Sequence, residues 1–436
     1  MVVRPQATRP VRQEARTNVA AEQQKRLAIV VGGGPAPGIN GVISAATIRA
    51  RLDGLDVIGI QQGFTWLMQG NTDHVVPLTI EAVSRIHFEG GSIIGTARAN
   101  PTKSPELLEN VVASLLKLGV SQLISIGGDD TAFSAMSIEK QAAGRIRVVH
   151  VPKTIDNDLD LPAHIPTFGY QTARHVGADI VKTLLVDAKT TGRWYFVVAM
   201  GRTAGHLALG IGKSAASTIT VIPEEFGKKI PLRTVVDTLA GAIIKRLAAG
   251  REDGVAIIAE GLALDLDPAD LDELSDVERD AHGHIRLAEL DLGGILKKRV
   301  GARLKALGVS LTIADKNIGY ELRCCAPIPF DQEYTRDLGY SAAGYLAEGG
   351  NAAMASVQDG KFVPIPFDTM LNPETGRTRV RRVDPSKRSF AIARDYMVRL
   401  RKSDFADPKT IEGLARVTNL SPDEFRKQFE PVVAHE

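Results

Sequence analysis

Short runs of continuous apolar residues alternate along this chain with stretches of helical periodicity. The first run, residues 27–31, leads into glycines and then a predicted helix over 39–51. Strands that are apolar throughout are typical of parallel sheets covered by helices on both faces, since each parallel crossover needs a helix or a long connection. The sequence therefore predicts a doubly wound α/β fold. The other predicted strands are residues 57–60, 122–126, 147–151, 194–198, 218–222 and 255–259, and a further helix is predicted over 132–141.

The length of the chain predicts two domains. Its 436 residues exceed the usual size of one hydrophobic core, so we expect two cores with a cleft between them. In doubly wound sheets, ligands bind at the loops that follow the carboxyl ends of the strands. Glycine and carboxylate clusters in those loops are therefore the candidate functional sites.

Charge and apolar pattern exclude several classes of partner. Lys and Arg number 53 against 51 Asp and Glu, a formal charge of +2, which gives no long-range field for a nucleic acid or a membrane surface. No apolar run approaches the roughly 18 residues that span a bilayer, and residues 1–26 are interpreted as a basic, flexible tail rather than a transit peptide. The two cysteines, Cys324 and Cys325, are adjacent, which fits a reducing compartment, and we expect a cytoplasmic protein.

The first predicted strand ends in a glycine-rich loop, Gly32-Gly-Gly-Pro-Ala-Pro-Gly38. Backbone N–H groups and a helix N-terminus at this place favour a phosphate. The loop is neither a dinucleotide fingerprint nor a Walker A loop, because Ile39 and Asn40 stand where Walker A requires Lys and Ser or Thr. A purely structural tight turn is the alternative.

A second loop, Gly127-Gly-Asp-Asp-Thr131, places two carboxylates beside glycines. Glycines that admit phosphate oxygens next to carboxylates that repel them indicate a divalent cation between the two. Helix capping by Asp130 or Thr131 is the alternative, and it accounts for one acid but not for both.

A third loop, Pro152-Lys-Thr-Ile-Asp-Asn-Asp158, follows the strand at 147–151. If the segment is extended, Asp156 and Asp158 point to the same side, with Lys153 and Thr154 nearby. Such a group can hold a metal with one acid and use another as a base toward a hydroxyl, as phosphoryl transfer to an alcohol requires. A surface turn with capping acids is the alternative.

Two later stretches carry less information. Residues 264–288 are rich in Asp and Glu around His282 and His284, and a solvated acidic insertion is favoured over a metal site because the histidines have no evident partner ligands. The segment after Ser386 is predicted to be helical and charged, with no assigned chemistry.

In order and spacing, GGGPAPGIN, GGDDT, PKTIDND, MGRTAGH and the pair Glu260-Gly261 resemble the motifs of the phosphofructokinase family, from about residue 26 to about residue 375. The resemblance implies two Rossmann-like doubly wound domains, each with a mainly parallel sheet. The implied divisions are a tail over 1–26, a phosphoryl-donor domain over 27–169 plus about 322–375, a sugar-phosphate domain over 170–321 with the insertion 264–288, and a C-terminal helical segment over 376–436.

The resemblance also implies roles for single residues. Asp156 would accept the proton of the 1-hydroxyl of fructose 6-phosphate, Thr154, Asp158 and Arg98 would assist at the reacting centre, and Asp129 would serve Mg²⁺. Donor-binding residues would be Gly34, Gly128, Asp130 and Lys153, and sugar-phosphate-binding residues would be Arg193, Met200, Gly201, Arg202, Glu260, Tyr320 and Arg323.

Arg193 resembles an arginine that reaches the 6-phosphate from a neighbouring subunit. Its planar fork suits phosphate oxygens. The resemblance therefore implies a homodimer or homotetramer with shared active sites.

Departures from the ATP-using members favour pyrophosphate as the donor. Those members read GGDGS and PGTIDND, whereas Asp130 and Lys153 stand at the two glycine positions here, as in pyrophosphate-dependent members. Tyr320 stands where many ATP-using members have a histidine. The implied reaction is reversible transfer to fructose 6-phosphate in glycolysis or gluconeogenesis.

Several alternatives stay open or are disfavoured. An ATP-dependent phosphofructokinase is the nearest, and a lipid or NAD kinase leaves PKTIDND and MGRTAGH unexplained. A dehydrogenase would need an acid after the second strand, where Gln61 and Gln62 stand, and a non-catalytic binder has no use for Asp156. The sequence does not distinguish fructose 6-phosphate from sedoheptulose 7-phosphate, a dimer from a tetramer, or the physiological direction.

Overall fold

The computed structural model describes residues 25–162, 164–272, 290–374 and 378–434. Residues 1–24 of the expected tail and the pair His282 and His284 lie outside these ranges, whereas Arg26 is the first residue of a strand. Among the helices in the described ranges, none is long and apolar enough to cross a membrane.

The elements follow one another as alternating strands and helices. The strands are β1 (Arg26–Val31), β2 (Asp56–Ile60), β3 (Val75–Pro77), β4 (Val120–Gly127), β5 (Arg147–Thr154), β6 (Phe168–Gly169), β7 (Trp194–Ala199), β8 (Ile219–Val221), β9 (Gly254–Ala259), β10 (Ile313–Ile318), β11 (Ala353–Met354), β12 (Val357–Gln358), β13 (Lys361–Phe362) and β14 (Ile365–Pro366). The helices are α1 (Ile39–Leu52), α2 (Ile80–Val83), α3 (Pro105–Lys117), α4 (Asp129–Ala142), α5 (Tyr170–Thr191), α6 (His206–Ala215), α7 (Leu232–Ala248), α8 (Leu262–Asp265), α9 (Pro268–Asp272), α10 (Leu292–Ala306), α11 (Tyr320–Arg323), α12 (Pro329–Ala347), α13 (Arg388–Asp395), α14 (Lys402–Ala406), α15 (Pro408–Arg416) and α16 (Pro422–Phe429).

The first sheet has the strand order β14-β11-β5-β4-β1-β2-β3, and β6 pairs with β5. The strands from β11 to β2 run parallel, and β3 and β14 add antiparallel edges. Alternate residues of β1 face opposite sides: Leu27 and Ile29 pack with α1 and α12, whereas Ala28 and Val30 pack with α3 and α4. Both faces are therefore covered, which explains why the strand is apolar throughout.

The second sheet has the parallel order β10-β7-β9-β8. On one face, Trp194 and Phe196 pack with α7, α10 and the C-terminal helices α13–α16; on the other, Val197 and Ala199 pack with α5 and α6. The C-terminal helices thus complete the core of the second sheet.

The predicted fold class is confirmed, and each predicted strand and helix is present. The largest boundary differences are at two elements: β5 continues to Thr154 because Lys153 and Thr154 pair with β6, and α4 begins at Asp129. Asp265, in the stretch expected as a solvated insertion, is only 4% exposed. We propose that the two sheets mark the two domains expected from the length.

Candidate active site

The loops after β1 and β4 diverge at the point where the strand order of the first sheet reverses. Such switch points open a crevice at the carboxyl ends of the strands. The glycine loop after β1 is held on two sides, because Gly32 N–H donates to the carbonyl of Ile126 at 2.9 Å and Gly33 N–H to that of Ala97 at 2.9 Å. The second bond places the segment that carries Arg98 beside the glycine loop.

The glycines of these loops permit close approaches that a side chain would prevent. A Cβ atom on Gly32 or Gly127 would overlap Thr131, and one on Gly34 would overlap the guanidinium of Arg323. Gly38 precedes α1 with a φ of 101°, a left-handed conformation that favours glycine. Both loops are therefore built for backbone contact with a ligand or a neighbouring cation.

Asp129 and Asp130 lie in the first turn of α4, and Gly128 precedes them at the N-cap. Asp129 accepts a hydrogen bond from Arg202 Nη1 at 2.5 Å, and Asp130 lies 3.9 Å from Nη2 of the same guanidinium. Arg202 comes from the loop after β7, so these ion pairs join the two sheets across the cleft. The N-cap position of α4 is occupied by Gly128, so neither Asp130 nor Thr131 is the N-cap residue.

The end of β5 carries Lys153 and Thr154, which are 3% and 9% exposed. The expectation that the following segment is extended is wrong: Asn157 has a φ of 57°, so Asp156, Asn157 and Asp158 form a turn with a left-handed centre. The turn nevertheless brings the two carboxylates close enough for the charge of Asp156 to raise the pKa of Asp158. Thr154 Oγ1 accepts the N–H of Asp156 at 3.0 Å and fixes the start of the turn.

Asp156 is a buried carboxylate whose Oδ1 has no hydrogen-bond partner among the described residues. Burial, together with the nearby charge of Glu260, raises the pKa of Asp156 to about 6. Burial, followed by the charge of Asp156, raises the pKa of Asp158 to about 7. With a pKa of about 6, Asp156 is largely ionised at neutral pH and still basic enough to accept a proton from a hydroxyl.

Lys153 belongs to a cationic cluster next to this turn. Its Nζ donates to the carbonyl of Gly34 in the first glycine loop. Burial and the positive charges of three arginines, against the opposing charge of Asp156, lower the pKa of Lys153 to about 7; the arginines are Arg323, Arg98 and Arg202. Three guanidinium groups whose positive charge opposes that of Lys153, next to backbone N–H groups, indicate an anion-binding site.

The second sheet presents its own loops to this cleft. Met200 and Arg202 follow β7, Glu260 follows β9 and Tyr320 follows β10, and these three strands are adjacent. Glu260 Oε1 accepts the N–H groups of Gly201 at 3.0 Å and Arg202 at 2.7 Å, which fixes the MGRTAGH loop. Tyr320 is 69% exposed at the mouth.

Arg323 lies between the two groups of loops. Its guanidinium lies against Gly34 of the first sheet and 5.4 Å from the ring centroid of Tyr320. From this position, the guanidinium can contact a ligand bound on either side of the cleft.

Arg193 is the one expected site residue that lies far from the others. It directly precedes β7, whereas Met200 follows it, so the strand separates the two by roughly 20 Å at about 3.3 Å per residue. Its Nε is buried without a hydrogen-bond partner among the described residues. Arg193 therefore does not contribute to the cleft of its own chain.

The acidic oxygens of the cleft fit a magnesium ion that is shared with a substrate. In the part of the chain that the structure describes, no three His, Cys, Asp or Glu side chains converge on one metal position. Mg²⁺ is usually held by one or two carboxylates together with substrate phosphates, so a preformed cage is not required. Asp129 stands at the second glycine loop, and Oδ1 of Asp156 offers an unused acceptor.

Several buried polar side chains that bind these loops are difficult or impossible to recognise from the sequence alone. His150 accepts from Ser125 Oγ through Nδ1 at 2.8 Å and donates through Nε2 to the carbonyl of Gly127 at 3.0 Å, because that carbonyl can only accept. Burial lowers the pKa of His150 to about 3, so the ring is neutral. A histidine inside an apolar strand is the signal that identifies it, whereas Glu224 and Arg381 have none.

Comparison with known proteins gives consistent matches. Residues 26–346 match the sequence profile of the family described as Phosphofructokinase. A relative from Thermotoga maritima, named pyrophosphate–fructose 6-phosphate 1-phosphotransferase, is 53% identical over 410 residues, which cover 93% of this chain and 98% of the relative. A relative of the same name from Naegleria fowleri is 50% identical over 430 residues, 96% of this chain and 98% of the relative. The solved structure of a pyrophosphate-dependent phosphofructokinase from Marinobacter aquaeolei has a TM-score of 0.64 and 15% identity, and the match covers 94% of this chain and 92% of that one.

Proposed function

Because this chain belongs to the phosphofructokinase family and is 53% and 50% identical to two pyrophosphate–fructose 6-phosphate 1-phosphotransferases, we propose that it is a pyrophosphate-dependent phosphotransferase. It transfers a phosphoryl group from pyrophosphate to the 1-hydroxyl of fructose 6-phosphate and yields fructose 1,6-bisphosphate and phosphate. The transfer is reversible and serves glycolysis or gluconeogenesis. The free thiols of Cys324 and Cys325 support a cytoplasmic location.

The observation that carries the proposal is the buried carboxylate of Asp156, which has an unpartnered oxygen and a pKa raised to about 6 by burial. The hydroxyl oxygen of the sugar attacks the terminal phosphorus of pyrophosphate while Asp156 accepts its proton. The bond from that phosphorus to the bridging oxygen breaks and releases phosphate. Thr154 and Asp158 flank the base, and Arg98 stabilises the negative charge on the phosphoryl oxygens.

The choice of donor follows from Lys153 and Asp130. Lys153 and the backbone of Gly34 and Gly128 bind pyrophosphate, whose charge needs local neutralisation. The side chain of Asp130 is 64% exposed at the mouth of the same crevice. Its carboxylate would meet the α-phosphate of ATP, so both bulk and charge oppose a nucleotide.

Asp129 is the residue that would hold Mg²⁺ together with the donor phosphates, with the buried carboxylates behind it. When bound, the ion neutralises phosphate charge and polarises the phosphoryl group. In the described structure Asp129 pairs instead with Arg202, which is expected to contact the sugar phosphate together with Met200, Gly201, Glu260, Tyr320 and Arg323. In this ion pair, the charges of Asp129 and Arg202 neutralise each other across the cleft.

We propose that the active site is shared between subunits of a homodimer or homotetramer. The placement of Arg193 at the end of β7 away from Met200 supports this, because its own chain offers it no sugar-phosphate site there. Arg193 is partly exposed at the strand end, and its guanidinium carries N–H donors that suit the 6-phosphate of a neighbouring subunit.

The test is a panel of donors against acceptors with the purified protein. Pyrophosphate, ATP and ADP are each combined with fructose 6-phosphate and sedoheptulose 7-phosphate at saturating magnesium, and the sugar bisphosphate is measured. We expect pyrophosphate with fructose 6-phosphate to give the highest kcat/KM. A higher kcat/KM with ATP contradicts the donor assignment and leaves the family assignment intact.

Two variants test whether Asp130 and Lys153 determine which phosphoryl donor is used. We expect Asp130→Gly to raise ATP use by removing the carboxylate, and Lys153→Gly chiefly to weaken turnover with pyrophosphate. The matched control is Asp359→Gly, because Asp359 is an exposed aspartate in a turn with a φ of 49°. This variant should leave turnover with either donor unchanged. Unchanged ATP use in Asp130→Gly would mean that other parts of the pocket exclude the nucleotide.

A further inference from the structure

Residues 378–383 cross the molecule as an extended strap between the two sheets. Leu159 and Val380 form an antiparallel bridge, and Arg381 N–H donates to the carbonyl of Asp158 at 2.7 Å. The strap therefore lies along the turn that carries the two carboxylates. It belongs to the C-terminal part of the chain, beyond the residues 26–346 that match the family profile.

The guanidinium of Arg381 holds the centre of that turn. Its Nη2 donates to Asn157 Oδ1 at 2.5 Å and its Nε to the carbonyl of Asn157 at 3.1 Å. Its Nη1 lies 3.3, 3.2 and 3.0 Å from the carbonyl oxygens of Leu161, Pro162 and Ile165. One side chain thus satisfies backbone and side-chain acceptors across the whole loop that follows Asp156.

Asn157 needs such support because it is left-handed, with a φ of 57°. A residue other than glycine pays about 1 kcal/mol or more in this region, although asparagine tolerates it best. Thr167 N–H also donates to Asn157 Oδ1 at 3.0 Å, so the side chain is fixed from two sides. Asn157 stands between Asp156 and Asp158, and its conformation sets the direction in which both carboxylates point.

The next residues of the strap bind the second sheet. Arg382 Nη2 donates to Asp265 Oδ2 at 2.6 Å, and Val383 N–H donates to Glu224 Oε1 at 3.1 Å. The same Glu224 oxygen accepts Gly205 N–H at 2.9 Å, within the MGRTAGH loop. Successive residues of the strap therefore tie the base-bearing turn of one sheet to the sugar-side loop of the other.

We propose that Arg381 is a positioning residue for the phosphoryl transfer: through Asn157 it fixes the orientation of Asp156 and Asp158 toward the loops of the second sheet, which Arg382 and Val383 anchor. This inference deepens the proposed function and rests on it for the reaction. It assigns a role to a strap whose sequence carries no motif. Arg381 touches no reacting atom and acts through Asn157.

The test replaces Arg381 with lysine, which keeps the positive charge and loses the fork that reaches several acceptors. Because a misplacement of about 1 Å can cost roughly 100-fold in rate, we expect kcat to fall by about 100-fold in Arg381→Lys. KM for both substrates should stay within about threefold, since the binding groups are untouched. Arg401→Lys is the matched control: Arg401 likewise donates to backbone carbonyls, those of Arg394 at 3.0 Å and Asp395 at 3.1 Å, but far from the turn.

A readout without substrate separates this inference from the proposed function. Amide hydrogen exchange of the unliganded protein should be faster by about tenfold or more at Thr167 and position 381 in Arg381→Lys, and unchanged there in Arg401→Lys. If the unmodified protein shows no phosphoryl transfer but exchange rises as stated, the proposed function fails and the fixing of the turn stands. Parental kcat, or a loss of the same size in Arg401→Lys, overturns the positioning role, and unchanged exchange overturns the fixing itself.

A second variant covers the case in which Arg381→Lys does not fold. Asn157→Gly keeps a residue that adopts the left-handed conformation readily and removes the Oδ1 acceptor of Arg381. We expect a loss of kcat of at least about tenfold at nearly constant KM, since the carboxylates lose one of their supports. Parental kcat in Asn157→Gly contradicts the proposal.

Discussion

Replacing Asp156 by asparagine should lower the catalytic rate and raise the stability of the fold. The amide has nearly the same shape as the carboxylate and cannot accept the proton of the sugar hydroxyl. General-base contributions amount to about 100- to 10,000-fold, so we expect kcat to fall within that range. Binding of both substrates should change little, because Asp156 is placed as the base rather than as a phosphate ligand.

The same substitution should stabilise the fold at neutral pH. Burial raises the pKa of Asp156 from 3.8 to about 6, so the folded state disfavours the ionised form by about 3 kcal/mol, since one pKa unit is 1.36 kcal/mol. The amide avoids that penalty, but leaving its N–H₂ group without a partner costs about 1 to 3 kcal/mol, so we expect a net gain of up to about 2 kcal/mol. A group whose folded pKa is raised destabilises the fold above that pKa, so the gain should be full above about pH 6 and shrink toward pH 4.

The assay combines steady-state kinetics with urea unfolding of the same preparations at pH 8 and pH 5. Asp179→Asn is the control, since Asp179 is exposed on α5 and its replacement should leave kcat unchanged and stability within about 0.5 kcal/mol. A variant within about threefold of the parental kcat rules out Asp156 as the base. A loss of stability that is the same at both pH values would refute the burial argument even if activity falls.

Two further predictions concern pH and assembly. Burial lowers the pKa of Lys153 to about 7 and raises that of Asp156 to about 6, so kcat/KM for pyrophosphate should fall both above and below that window, as the lysine loses and the carboxylate gains a proton. Lys153→Arg should remove the alkaline limb at constant magnesium pyrophosphate and keep the acidic limb; a limb that persists belongs to another group. Mixing Asp156→Asn chains with Arg193→Ala chains should restore up to about one quarter of the parental activity in random dimers, because one of two sites in a hybrid carries neither lesion. Hybrid oligomers that stay inactive would contradict the shared site.

Local sequence patterns were enough to predict most of the strands and helices and the loops that line the cleft. The strand of residues 27–31 was visible because its two faces pack against helices on both sides, and every residue in it is apolar for that reason. The glycine and carboxylate loops were visible because they directly follow such strands. Strand adjacency then brings the loops after β1, β4 and β5 to one edge, where Lys153 and Asp156 come together.

The supports of the cleft were not predictable because they come from distant parts of the chain. Arg381 lies 224 residues from Asn157, and arginines are common in charged C-terminal segments. The turn at Asn157 was wrongly expected to be extended, because a left-handed asparagine is indistinguishable in sequence from one in a strand. The pairing of Arg202 with Asp129 likewise depends on how the two sheets face each other, which no local pattern encodes.

The turn of residues 156–158 combines an unfavourable backbone conformation with two buried charges. Asp156 and Asp158 are buried carboxylates, the charge of Asp156 raises the pKa of Asp158, and the residue between them is left-handed. Such a segment persists only where its surroundings over-determine it. Thr154 binds its first N–H, Thr167 and Arg381 bind Asn157, and the strap binds the last carbonyl. The contacts that hold the turn are therefore also the ones that keep the base poised near neutral pH, because a turn released into water would lose the burial that raises the pKa of Asp156.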